Sequence, residues 1–248
     1  MAWRCSGRTN RELVENMIKS RMLKNSDEAS LARISQAMQA VDRAHYVLDH
    51  SDAYTDSPQA IGHGATISAP HMHAYAADHL LPFLRPGARV LDIGSGSGYL
   101  CAVLHHLVTS YTSALPTDQS ATAAVSGHVV GIEHIPELVD WSLQNLKKDE
   151  RTRRAVESTA IEIHAGDGRL GYPSGGPYDA IHVGAAAPTI PEPLISQLAA
   201  PGRMFIPVGT FAQRIIQVDK DAEGKVTQQE IMAVNYVPLT DRAKQTPW

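Results

Sequence analysis

The stretch Val90-Leu91-Asp92-Ile93-Gly94-Ser95-Gly96-Ser97-Gly98-Tyr99-Leu100 runs from an apolar segment through three alternating glycines into a second apolar segment. Val90 to Ile93 suit a buried parallel strand. Gly94, Gly96 and Gly98 remove Cβ atoms where the chain must turn sharply, and they let a ligand approach the backbone. A helix beginning near Ser97 then presents free N–H groups to that ligand. Strand, glycine loop and helix in this order are how an α/β protein builds a nucleotide site.

The spacing Gly-x-Gly-x-Gly is one residue short of the dinucleotide fingerprint, and no Lys-Ser/Thr follows to complete a P-loop. That tilts the expected ligand away from NAD and ATP. Asp92 precedes the loop directly, and Glu133 closes the next apolar run, Val129-Val130-Gly131-Ile132-Glu133. Two carboxylates so placed suit S-adenosylmethionine, which carries an α-ammonium and a sulfonium at one end and a ribose diol for a carboxylate to grip.

At 248 residues the chain has room for one α/β domain with a sizeable core. The expected organisation is one methyltransferase domain: N-terminal helices over 1–50, a substrate loop over 51–70 and a cofactor-binding α/β core over 71–248. Twenty-two basic against 26 acidic residues give a net charge of −4, with no basic stripe for nucleic acid and no polybasic tail for an anionic membrane. Cys5 and Cys101 cannot form a disulfide framework, and Cys101 reads as a small buried residue. With no apolar stretch long enough for a signal or a span, the expectation is a cytoplasmic monomer.

Helical spacing over 10–23 and 28–40 predicts two helices before the main fold, and a third covers 71–84. Strands are then predicted near 88–93, 128–132, 160–164, 179–183, 203–208, 213–218 and 230–237, with helices near 97–108, 136–148 and 191–199. This alternation predicts a mostly parallel sheet covered on both faces, its last two strands forming an antiparallel edge hairpin. The Ser-, Thr- and Ala-rich connection 109–127 reads as a mobile surface insertion with nothing patterned as core.

Ligands of such sheets sit beyond the carboxyl ends of the strands. Those ends carry Asp92, Glu133-His134, Asp167-Gly168 and His182 with Gly184-Ala185-Ala186-Ala187. Asp167-Gly168 could meet an adenine amino group or simply make a tight turn. His134, His164 and His182 match no metal-ligand spacing, so no metal is expected. No Ser-His-Asp order or nucleophile elbow supports acyl transfer; a cofactor-binding module without catalysis is the other reading. In the second informative segment, 56–73, Ser68 and Pro70 occupy places expected of a helix N-cap and first turn, where N–H groups would face a carboxylate.

The run from Asp56 to His73, the loop from Leu91 to Gly98, the stretch from Tyr178 to Pro188 and the ending Tyr236-Val237-Pro238-Leu239-Thr240-Asp241 together resemble the protein-L-isoaspartate (D-aspartate) O-methyltransferase family, over about 11–245. The resemblance implies a Rossmann-like class I methyltransferase fold, α/β with a seven-stranded sheet whose sixth and seventh strands depart from the usual methyltransferase arrangement. It implies methyl transfer from S-adenosyl-L-methionine to the free α-carboxyl of isoaspartyl and D-aspartyl residues in damaged proteins, leaving S-adenosyl-L-homocysteine. By matching position Ser68 is the active-site serine. Ala65, Thr66, Ile67, Ser68, His73, Asp92, Gly94, Ser95, Gly96, Ser97, Gly98, Glu133, Asp167, Gly168, Thr240 and Gln245 line the cofactor pocket. Two departures stand out: the connection 109–127 is longer than the family usually has, and Glu133 stands where many members carry Asp.

Overall fold

The computed structural model describes residues 5–23, 26–113, 115, 118 and 120–245. Two helices lead, α1 (Asn10–Lys19) and α2 (Glu28–Ala40), each with a side-chain cap: Thr9 accepts from Glu12 N and Asp27 from Ser30 N. Such caps are worth about 1 kcal/mol each. A small hairpin follows, β1 (Gln59–Gly62) and β2 (Ala65–Ile67), then α3 (Pro70–Leu80). The main alternation is β3 (Arg89–Ile93), α4 (Tyr99–Leu107), the short pair β4 (Ser110–Tyr111) and β5 (Ala123–Val125), β6 (His128–Glu133), α5 (Pro136–Leu146), α6 (Glu150–Glu157) and β7 (Ile161–Ala165). It closes with β8 (Tyr178–Val183), α7 (Glu192–Gln197), β9 (Leu198–Val208), β10 (Gln213–Lys220) and β11 (Val226–Val234).

Seven strands form one sheet in the order β11-β10-β9-β8-β3-β6-β7. The pairs from β9 to β7 are parallel, while β10 runs antiparallel to both β9 and β11. The sixth and seventh strands of this sheet thus lie outward in chain order, as the edge hairpin required. Side chains alternate across it with the two-residue strand period. Val90, Val129 and Ala180 enter the core shared with α1 to α5, while Leu91, Ile93, Val130, Ile132, Ile181 and Val183 enter the opposite core with Leu194 of α7. Each such aliphatic side chain contributes about 1.5–3 kcal/mol by leaving water, which is why these strands read as continuous apolar runs. Among the described residues no helix is long and apolar enough to cross a membrane.

The differences from expectation have local causes. Helix α4 starts at Tyr99 rather than Ser97, because Gly98 N bonds Ser95 O in a turn and Gly98, at φ +82°, is the left-handed residue before the helix. Helix α1 ends at Lys19, and Arg21 turns into the left-handed region at φ +53°. Strand β9 begins five residues earlier than its apolar run, and β11 covers 226–234 because its pairing with β10 orders residues that are largely exposed. Helix α6 was not expected at all.

The connection 109–127 is not uniformly loose. Its two ends pair as β4 and β5, Gly127 N donates to the buried Thr109 hydroxyl at 3.3 Å, and the Arg151 guanidinium lies 4.3 Å over the Tyr111 ring. Ala121 is buried as well. The expectation of an insertion without packing role is corrected at these positions; residues 114, 116, 117 and 119 lie outside the described ones.

Candidate active site

The carboxyl ends of β3, β6, β7 and β8 converge on the glycine loop. There Gly94, Gly96 and Gly98 all have positive φ, at +71°, +51° and +82°. Glu133, at the end of β6, accepts from Gly96 N and Ile135 N, both at 3.1 Å. Burial pushes its carboxyl above the ordinary range, and the two N–H groups pull it back. The carboxylate borders a cavity lined also by Ala65, Thr66, Gly94, Gly96, His134, Asp167, Gly168, Thr240 and Gln245. Gly168 admits no side chain: a Cβ would fall 2.4 Å from Ile93 Cγ2. Both Asp167 oxygens bond Arg169, which also pairs with Asp241 at 2.5 Å, so this carboxylate is held below its usual range by the guanidinium. The Gln245 carboxamide spans the mouth, hydrogen-bonding His134 and donating to His63 O at 2.8 Å.

A second cavity adjoins the first across Thr66, Gly94, Gly96 and Gly184. Ile67, Ser68, His73, Asp92, Ser95, Ser97, Tyr99 and His182 complete it. Asp92 is buried, accepting from His182 Nδ1 at 2.7 Å and from the Cys101 thiol at 3.2 Å. Burial drives His73 far below the usual imidazole range, so its ring is neutral. Three buried polar atoms around this one cavity, His73 Nδ1, Ser95 Oγ and the Tyr99 hydroxyl, have no hydrogen-bond partner among the described residues. An orphaned buried polar group costs about 1–3 kcal/mol, so three together are the mark of a polar ligand site.

On the far side of Ser68 and Thr66 opens a wider groove of about 540 Å³, walled by Pro58, His71, Met72, Gly184 and residues 232–237. Thr66 and Gly184 border all three spaces, and Ser68 borders the second cavity and the groove. Arg43, fully buried, donates from Nη2 to Ser68 O at 2.9 Å. The Tyr236 phenol, pushed up to about 12 by burial, lies near the Ser68 side chain. Ser68 does not cap α3. The residue before Pro70 is confined to extended backbone, so Ala69, at φ −56° and ψ 143°, holds the N-cap position. Nor do the first-turn N–H groups face outward: His71 N donates to the Asp56 carboxylate at 3.0 Å, while Met72 N and His73 N bond Ala69 O.

Every anticipated pocket residue except Gly98 borders one of the two cavities. Gly98 instead lets α4 meet α5, since a Cβ there would stand 3.2 Å from Ser142 Cβ. His134, His182, Gly184 and Ala185, named from sequence only as strand-end residues, join the lining, as do Tyr99, Leu100, Ile132 and residues 237–239, to which no pocket role had been given. The signal for 237–239 was tertiary, a bridge from Ala186 to Pro238. The three strand-end histidines separate: His134 meets Gln245, His164 stacks on Tyr172, and His182 meets Asp92. Among the described residues no three His, Cys, Asp or Glu are grouped to hold a metal.

Comparison with known proteins agrees with this geometry. The family profile "Protein-L-isoaspartate(D-aspartate) O-methyltransferase" matches residues 8–244. The chain is 44% identical to protein-L-isoaspartate O-methyltransferase 1 of Arabidopsis thaliana over 95% of its own length and 93% of that protein's. It is 42% identical to the protein-L-isoaspartate O-methyltransferase of Caenorhabditis elegans, over 99% and 98%. Among solved structures, a putative protein-L-isoaspartate O-methyltransferase of Plasmodium falciparum in complex with S-adenosyl-L-homocysteine superposes with a TM-score of 0.75 at 30% identity, covering 94% of this chain and 99% of that one.

Proposed function

Because the chain belongs to the protein-L-isoaspartate (D-aspartate) O-methyltransferase family, we propose that it moves a methyl group from S-adenosylmethionine to the free α-carboxyl of isoaspartyl, and also D-aspartyl, residues in damaged proteins and peptides. The methyl ester then leads through a succinimide to repair. One observation carries the reading: Thr66 and Ser68 stand between a cavity ringed by orphaned polar atoms and a groove wide enough for a peptide.

The residues fit the cofactor. Glu133 would hold the ribose diol, Asp167 and Gly168 would border the adenine with Thr240 and Gln245, and His73, Ser95 and Tyr99 would satisfy their open positions on the amino-acid end. Asp92 places negative charge at the floor of that end. Bound there, S-adenosylmethionine supplies a sulfonium methyl whose carbon–sulfur bond breaks toward a neutral thioether.

An isoaspartyl carboxylate is already ionised near pH 7, so this chain needs no strong base. Its task is alignment and exclusion of water from the attacking oxygen. Ser68, its main chain fixed by Arg43, orients the carboxylate and forms no covalent bond to it. Two free buried cysteines suit a reducing, cytoplasmic setting, and a monomer suffices because every proposed contact lies within one chain.

The test is transfer of radiolabelled methyl to one peptide in isoaspartyl and normal aspartyl forms. Label should enter the isoaspartyl form and leave as methanol in base. Equal labelling of both forms would overturn the repair assignment.

A further inference from the structure

The first turn of α3 has no main-chain donor to spare for a substrate carboxylate, since His71 N, Met72 N and His73 N are all engaged within the chain. Yet the groove beside Ser68 has to hold an anion whose second oxygen lies away from the methyl donor. The side chain available there is the His71 imidazole. It borders the groove with Ser68, and its side chain is 21% exposed. Its Nδ1 lies 2.8 Å from Asp56 Oδ1, and that carboxylate is fully buried. Asp56 Oδ2 has no partner among the described residues. No hydrogen bond to His71 Nε2 occurs among them either.

Resting on the methyl-transfer reading above, we propose that Asp56 and His71 form a substrate-binding pair, in which the His71 imidazolium donates from Nε2 to the non-attacking oxygen of the isoaspartyl carboxylate. Asp56 accepts the Nδ1 hydrogen bond and so fixes the ring orientation. Capping α3 through His71 N accounts for one bond to Asp56. It does not account for a buried carboxylate spending its second bond on a ring that faces a groove. The charged and titratable groups around the ring are Asp56, His73, which is neutral, and Arg43, whose charge acts on both Asp56 and His73. Asp56 is thus the one anion near the ring among them, and the incoming carboxylate is the second. The division of labour follows: Ser68 governs the aligned reacting oxygen, and His71 governs whether the anion enters and stays.

The experiment measures affinity of an isoaspartyl peptide for the S-adenosylhomocysteine complex, with KM and kcat for turnover, from pH 6 to 9. In wild type the affinity should fall as pH rises, because donation to both Asp56 and the peptide needs a proton on each ring nitrogen. His71→Ala should weaken peptide binding and raise KM about ten- to a hundredfold near pH 6, with kcat within a few-fold and the fall with pH gone. His71→Gln, which offers a neutral donor at every pH, should recover much of the affinity and show a flat profile. Asp56→Asn, which loosens the ring orientation, should also weaken peptide affinity. Calorimetric S-adenosylhomocysteine affinity unchanged in each variant establishes that the fold is intact. An alanine variant with wild-type peptide affinity, or one with an unaltered pH profile, overturns the pair. A wild-type protein that binds the peptide but never methylates it defeats the methyl-transfer reading and leaves the binding result to decide the pair.

Discussion

Glu133→Gln separates the cofactor role of this side chain from its structural one. The carboxylate already accepts two main-chain N–H groups, from Gly96 and Ile135, and the lone pairs left over face the first cavity. A ribose diol donating to them makes charge-assisted hydrogen bonds, about 1.5–3 kcal/mol for a bond to a charged group. A carboxamide has one acceptor oxygen for two N–H groups and the diol. S-adenosylhomocysteine binding should therefore weaken by about 1.5–3 kcal/mol, roughly ten- to a hundredfold. Stability of the ligand-free protein should change far less, because losing one acceptor is offset by removing a charge that burial disfavours.

The pH dependence gives a second reading of the same side chain. Burial raises the Glu133 pKa in the folded chain, so wild-type affinity should fall as pH falls through that raised value, when the protonated carboxyl loses acceptor capacity. For folding the sign is opposite. A carboxyl whose folded pKa is raised contributes stability below its unfolded pKa and loses that contribution as pH rises through the folded one. Acid therefore removes ligand at this site without the site itself favouring unfolding. Calorimetric titration between pH 8 and 5, with thermal unfolding of both proteins, checks this. A Gln variant that binds as tightly as wild type, or a wild-type affinity flat across that range, would remove Glu133 from the ribose.

Ser68→Ala should lower kcat for an isoaspartyl peptide about ten- to a thousandfold while S-adenosylhomocysteine affinity stays within a few-fold, the pattern of lost alignment; full turnover in the alanine protein would contradict it. Tyr111→Ala removes the ring beneath Arg151 and should cost about 1–3 kcal/mol, several degrees in Tm at unchanged cofactor affinity. An unaltered Tm would mean that this end of the 109–127 connection is dispensable after all.

The glycine loop, the central strands and the acidic strand ends were legible because each follows a local rule: apolar runs for doubly covered strands, glycines for positive φ, carboxylates at carboxyl ends. Helix α6 was not, since Glu150–Glu157 carries no apolar stripe; it is held by Arg154–Glu150 and Arg153–Glu157 pairs and by burial of Thr152 and Ala155. The exposed polar half of β11 carries no period-two signal and is ordered by its ladder with β10. At the site, residue identities were readable but their partners were not. That the His71 N–H in the first turn of α3 is satisfied by Asp56, from fifteen residues upstream, is a tertiary fact, and so is the meeting of residues 237–245 with the glycine loop.

One carboxamide joins three distant stretches of the chain. Gln245 reaches His134 and the carbonyl of His63, 182 positions away, and so bolts the closing segment to the hairpin of β1 and β2 above the first cavity. A ligand passing this carboxamide would have to part both hydrogen bonds, so Gln245→Ala should speed S-adenosylhomocysteine release while leaving the chemistry of transfer alone, and a release rate equal to that of wild type would show that the contact is structural only.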